Sequence, residues 1–127
     1  MKNALLLTLI CFVSACIPDN IKEKMNDGMH DAQLVMADWE FKKAIAQIEL
    51  HKLRNGHYPD SLSELRFLSQ IDSSMIGNVE YKRLDSVYEL NLRMKFASFD
   101  GNESRVIDLN YPPEFWTGLG CVKSNLK

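Results

Sequence analysis

Few side chains in this 127-residue chain could do chemistry. Cys11, Cys16 and Cys121 form no C-x-x-C and no Cys/His pair at metal-ligand spacing. His30, His51 and His57 are scattered, and no His-Glu-x-x-His sets two imidazoles on one helical face. Asp100, Asn102, Glu103 and Asp108 offer oxygens without the alternating positions of a calcium loop, so they read as solvated turn residues. No Gly-x-Ser-x-Gly elbow, phosphate loop or dinucleotide fingerprint occurs, and a Cys121 nucleophile has no local base. These residues give no case for an enzyme, a metal or a cofactor. A formal charge of −2, with basic residues scattered rather than striped, gives nucleic acid nothing to follow.

Cys16 stands in a different context. Met1-Lys2-Asn3 is a short positive start, Ala4 to Val13 is an apolar run, and Val13-Ser14-Ala15 ends it with small residues. That is the order of a secretory signal, and the run falls far short of the roughly 20 apolar residues that span a bilayer. Val13-Ser14-Ala15-Cys16 resembles the lipobox of bacterial lipoproteins. The resemblance implies that residues 1–15 are removed and that Cys16 becomes an acylated first residue, the lipidation site holding the chain to a membrane. Each buried acyl methylene contributes about 0.8 kcal/mol, and more than one chain is needed for a stable anchor. Ile17, where an aspartate would signal retention at the inner membrane, implies the outer membrane facing the periplasm. Cys121 is then the thiol left over, either a buried small apolar residue or a link to another chain.

Residues 16–28 read as a lipidated tether, because Pro18, Asp19, Asn20, Asn26, Asp27 and Gly28 interrupt any period able to bury a face. Residues 29–127 read as one α+β domain. From about Asp31 to Asn55 the apolar residues Leu34, Val35, Trp39, Phe41, Ile45, Ile48 and Leu53 recur at helical spacing. Asp38, Glu40, Lys42, Lys43, Glu49 and Lys52 read as the opposite, solvated side. The helix would have about 24 residues and be roughly 36 Å long. Lys52 and Arg54 complement the dipole at its end, and Gly56 stops it.

Beyond Pro59, Ser61 with Glu64 looks like a capping box for a short second helix to Ser69, followed by a loop over Gln70 to Asn78. Tyr88, Leu90, Leu92, Met94 and Phe96 alternate with polar residues, which predicts a half-buried strand. Val79 to Leu84 precedes it across an Asp85-Ser86 turn, and Arg105 to Tyr111 follows the Asp100-Gly101-Asn102 turn. Short connections predict a three-stranded antiparallel meander whose apolar face packs on the long helix.

A long amphipathic helix, then Asn55-Gly56-His57-Tyr58-Pro59, a short capped helix and a meander resembles the globular part of type IV pilins. It is most similar to the major pseudopilin of type II secretion systems, over residues 31–111. Gly56, Tyr58 and Pro59 read as a structural loop motif that reverses the chain. The chain departs from that family in having no prepilin-peptidase site and no long apolar half-helix for packing in a filament. The resemblance implies envelope or secretion-system proteins as partners.

Pro112, Pro113, Phe115 and Trp116 are a candidate interaction patch, since adjacent aromatics beside glycines form compact contact sites when exposed. Folded inward, the same rings would cover the open end of the core, and one ring in with one out is a third arrangement. The leading reading is a non-catalytic, lipid-anchored assembly module. The alternative is a lipoprotein that binds a small ligand or cell-wall fragment between the helix and the Pro-Phe-Trp loop. Cys16→Ser should abolish globomycin-sensitive processing and release the chain from membranes on fractionation; unaltered processing with membrane retention would refute the anchor.

Overall fold

The computed structural model describes residues 18–74, 76–93 and 109–127. The export segment, Cys16, the end of the alternating strand beyond Arg93, the turn oxygens at Asp100, Asn102, Glu103 and Asp108, and residues 105–108 of the expected third strand lie outside them.

One helix dominates the fold. α1 runs Asp19–Asn55, 37 residues, about 55 Å long. It therefore includes most of the segment expected to be an irregular tether. Pro18 precedes it with a φ of −56° that suits a helix entry, Asp19 lies in the first turn, and only Gly28 opposes propagation before the amphipathic part. Once that part has nucleated, extending the helix toward its start adds a hydrogen bond per residue at little cost. Its far end is as expected: Lys52 and Arg54 occupy the last turn, and Gly56, at a φ of 81°, donates its N–H to the Lys52 carbonyl at 2.8 Å.

The buried face of α1 is Ala37, Phe41, Ala44, Ile45 and Ile48. Val35, Trp39 and Leu53, expected in the stripe, are 57%, 64% and 83% exposed. Two carboxylates expected to face solvent turn inward instead. Glu40 is buried and accepts from the Asn78 backbone N–H at 2.8 Å and its side-chain amide at 3.2 Å. Glu49 is half-buried and accepts from the Tyr88 hydroxyl at 2.9 Å and the Gly120 N–H at 2.8 Å. Charges go inside only where donors meet them, and those donors come from distant parts of the chain.

The expected helix from Ser61 to Ser69 is a single 3₁₀ turn, Leu62–Glu64. Ser61 spends its hydroxyl on that of Ser63, at 2.6 Å, and Glu64 accepts from the Asp60 N–H. A second helix, α2, lies at Gln70–Ser74, inside the expected loop. There Ser69 accepts from the Asp72 N–H and donates to the Asp72 carboxylate, so this second Ser-x-x-acid signal forms the cap.

The sheet contains β1 (Val79–Leu84), β2 (Val87–Leu92) and β3 (Cys121–Lys123) in that order. β1 and β2 form the expected antiparallel hairpin, with Val79 opposite Leu92 and Leu84 opposite Val87. Asp85 takes the positive φ of the turn, 62°. Alternation holds in β2, where Tyr88, Leu90 and Leu92 are buried. The third strand differs from the expectation. Residues 109–111 are not strand, and β3 pairs parallel to β2, with Tyr88 opposite Cys121. Pro112 and Pro113 supply no N–H for a ladder, and the Tyr111 N–H goes to the Leu126 carbonyl instead. Asn125 extends the pairing beyond β3, its side chain bonding the Leu92 N–H and carbonyl at 2.9 Å each. The sheet is mixed rather than wholly antiparallel.

Gly120, just before β3, is positioned by contact rather than conformation. A Cβ there would lie 1.9 Å from the Tyr58 hydroxyl oxygen and 2.4 Å from its ring carbon. Gly120→Ala should therefore lower stability by about 2–3 kcal/mol in urea unfolding, as overpacking does; an unchanged midpoint would disprove the contact.

Candidate functional site

The expected loop motif lies where the chain leaves α1. Gly56 reverses the chain, and Tyr58 and Pro59 are buried. The Tyr58 hydroxyl donates to Glu49 at 3.1 Å and accepts from Lys52 at 3.2 Å, while the Lys52 ammonium sits 4.3 Å from the Tyr58 ring centre. Tyr58 meets Tyr88 edge-on at 4.9 Å, and Tyr81 donates to the Pro59 carbonyl at 2.6 Å. Glu49 thus gathers donors from the reversal, β2 and the approach to β3.

Nearby, the structure brings together two histidines that lie six residues apart. His51 and His57 meet edge-on at 5.7 Å, and in its Nδ1–H tautomer His57 donates to the Tyr58 carbonyl at 3.0 Å. The His51 Nε2 is buried, 3.8 Å from the Glu64 carboxylate. His30 lies on another part of α1.

The Pro-Phe-Trp segment forms a 3₁₀ turn, Pro113–Trp116, which splits the candidate patch. Trp116 is buried and Phe115 half-buried, while Pro112 and Pro113 are exposed. Phe115 stacks on Tyr111 at 4.2 Å, Tyr111 stacks on Phe41 at 5.6 Å, and Trp116 meets Phe41 edge-on at 6.0 Å. These rings close one end of the helix–sheet core. The Tyr111 hydroxyl donates to Asp38 at 2.7 Å. Burial opposes ionisation of Asp38, but hydrogen bonds from Lys42 and Tyr111 and the Lys42 charge outweigh it and hold the carboxyl below its ordinary range. Outside this turn lies an open concavity of about 690 Å³, lined by Asn110, Tyr111, Pro112, Pro113, Trp116, Thr117 and Lys127.

A third surface was missed by the sequence reading. On the outer side of α1, Ile21, Met25, Val35, Met36 and Trp39 are exposed, as are Gly28 and Ala32 between them. Asn26, Met29, His30, Gln33 and Leu34, on another side of the same segment, are half-buried. The signal was present in the sequence as apolar and small residues at intervals of three and four, hidden by reading residues 16–28 as a tether.

None of these places joins a nucleophile to a base. Burial pushes the Cys121 thiol up, away from the reactive thiolate, and its Sγ donates to the Lys123 carbonyl. Among the described residues no group of three His, Cys, Asp or Glu side chains could hold a metal ion. No helix among them is long and apolar enough to cross a membrane. No family model, curated protein or solved structure matches the chain.

All four tyrosines are held as phenols above their ordinary range. Burial is the first cause in each; Tyr81 is pushed up to about 12, and nearby Glu49 adds to the effect on Tyr58 and Tyr88. A raised folded-state value favours the fold below the unfolded value of about 10, and that stability is lost as pH rises above it. Phenolate absorbance should therefore appear together with loss of circular dichroism in alkaline titration. Phenolate forming near pH 10, as in a free tyrosine, while the fold persists would contradict this.

Proposed function

We propose that the chain is a non-catalytic, lipid-anchored protein of the bacterial cell envelope that works as an interaction or assembly module. One observation carries the reading: the first half of α1 exposes Ile21, Met25, Val35, Met36 and Trp39 on one side while the rest of the domain forms a closed core elsewhere. Large apolar side chains clustered at a surface mark contact sites, and tryptophan and methionine are favoured there. The lipobox-like segment Val13-Ser14-Ala15-Cys16 supplies the anchor in this reading, at the outer membrane facing the periplasm. Components of a type II secretion or type IV pilus-like system are the partner class implied by the pilin-like order of elements, and that assignment rests on the resemblance alone.

Recruitment is the mechanism. Acyl chains at Cys16 hold the start of the chain at the bilayer, and α1 projects its apolar side from there to the folded domain. Because residues 19–28 are helical, the reach is that of a rod rather than of a loose linker.

A second reading, a lipoprotein that binds a small ligand or cell-wall fragment, draws support from the concavity beside Pro112, Pro113 and Trp116. Its lining combines aromatic and proline surface with the Asn110 amide and the Lys127 ammonium, a combination suited to a sugar or peptide fragment. The concavity lies on the outer side of the loop rather than between loop and helix.

Cross-linking in intact membranes followed by capture of the chain separates the two readings. The module reading expects envelope proteins to be captured by the wild-type chain and capture to fall at least tenfold for Val35→Glu, an exposed position whose change leaves the core intact. Equal capture by both chains would overturn it. Retention of a cell-wall fragment by the wild-type chain, lost on changing Pro113 or Lys127 but not Val35, would favour the ligand site.

A further inference from the structure

The exposed side of α1 has the spacing of a two-helix seam. Ile21, Met25, Gly28, Ala32, Val35 and Trp39 follow one another at intervals of four, three, four, three and four. That repeat keeps a seam facing a neighbouring helix over several turns. In size the seam reads large, large, small, small, large, large.

Gly28 is the telling position. A glycine inside a helix costs about 1 kcal/mol relative to alanine. A Cβ added at Gly28 would meet nothing within 4 Å, so no contact among the described residues explains the missing side chain. With Ala32 one turn on, it forms a shallow saddle between two pairs of bulky residues, where a second backbone can approach closely.

We propose that this seam pairs with the same seam of a second copy, in antiparallel orientation; the proposal deepens the module reading above and rests on it for its setting at a membrane. The pairing register sets Ile21 against Trp39 of the partner subunit, Met25 against Val35 of the partner subunit, and Gly28 against Ala32 of the partner subunit. Small residues meet at the two-fold axis and large ones at the ends, so the surface is self-complementary.

Charge selects this orientation over a parallel one. Lys24 flanks the seam near its start, and Asp38, with a side chain 25% exposed, flanks it near its end. Antiparallel pairing brings Lys24 beside Asp38 of the partner subunit. A parallel pair would continue the seam by setting Lys42 against its own copy, a like-charge contact. In the antiparallel pair Asp31 is the flanking residue that faces its own copy, an opposing contribution that serves as a test. The core packs on the other side of α1, at Ala37, Phe41, Ala44 and Ile48, which leaves the seam side open to a second helix.

Area sets the strength. The seam is about 27 Å long and one helix wide, which gives a few hundred Å² per copy, below the roughly 800 Å² per partner of a standard interface. Pairing is therefore weak in dilute solution and is favoured where both copies share one membrane with α1 lying along it, so that both Cys16 anchors reach the bilayer and the effective concentration rises.

The full chain, purified in detergent from normal and ¹⁵N-labelled cultures, mixed and reconstituted into vesicles, should give a mixed-isotope Lys24–Asp38 product with a zero-length carbodiimide cross-linker. Gly28→Leu should leave the circular dichroism and melting point at or above wild type while cutting that product at least tenfold. Asp31→Asn should raise it about threefold. Absence of the mixed product, its persistence in Gly28→Leu, or a mixed product that joins Lys42 to Asp38 of the partner subunit, as a parallel pair would give, would overturn the antiparallel pairing. The two readings fail separately: no self cross-link with envelope proteins still captured overturns the pairing alone, and a self cross-link with no envelope protein captured upholds the pairing against the wider module.

Discussion

The fold depends on one carboxylate. Glu49 follows Ile48, the last buried residue of α1, and accepts hydrogen bonds from Tyr58, Tyr88 and the Gly120 backbone. These donors belong to the chain reversal, the middle strand and the approach to the last strand, so a single side chain positions all three against the helix. A buried hydroxyl or N–H without an acceptor costs about 1–3 kcal/mol, so each donor constrains where its segment can lie. Gly120 completes the arrangement sterically, since only a residue without a Cβ can bring its N–H to Glu49 beside the Tyr58 ring. Glu40 does the same at the other end of the core by holding both Asn78 donors.

Around this frame the apolar contacts are ordinary in kind. Ala37 and Ala44 let the sheet approach α1 closely, and Phe41, Ile45 and Ile48 fill the space between with Tyr88, Leu90 and Leu92. The aromatic turn then closes the remaining side, with Trp116 against Phe41 and the Lys127 ammonium 5.4 Å from the Trp116 ring centre. Surface ion pairs such as Arg93 with Glu80 and Lys42 with Asp38 add little beyond their geometry, because solvent screens them.

What could be read in the sequence was the local chemistry. Lys52, Arg54 and Gly56 mark a helix end, Tyr88, Leu90 and Leu92 mark a half-buried strand, and Asp85-Ser86 marks the hairpin between β1 and β2. Each of those signals is complete within a few residues. The inward turn of Glu40 and Glu49 was not legible, because apart from Tyr58 their donors lie 38 residues or more away along the chain. The three-residue β3 is too short to show a period, and its parallel pairing leaves no local trace. In α1 the apolar residues from Leu34 to Phe41 spread around the helix, so spacing alone could not choose the buried side, which is the one carrying Ala37, Phe41, Ala44, Ile45 and Ile48. The candidate aromatic patch was legible as a cluster, but its division into a buried Trp116 and exposed prolines follows from contacts with Phe41 and Tyr111.

The pairing of β3 with β2 also orders events in time. Glu49 waits for a donor 71 residues further along the chain, and buried Leu126 bonds back to Tyr111. Until residues 120–126 arrive, Glu49 lacks its Gly120 donor and the Tyr111 N–H lacks its Leu126 acceptor, so the domain gains less by closing early. Long-range closure of this kind slows folding. A chain threaded through a narrow channel with its first residues leading would therefore pass as a flexible polymer carrying at most local helix, and would lock only when its last segment emerged on the far side.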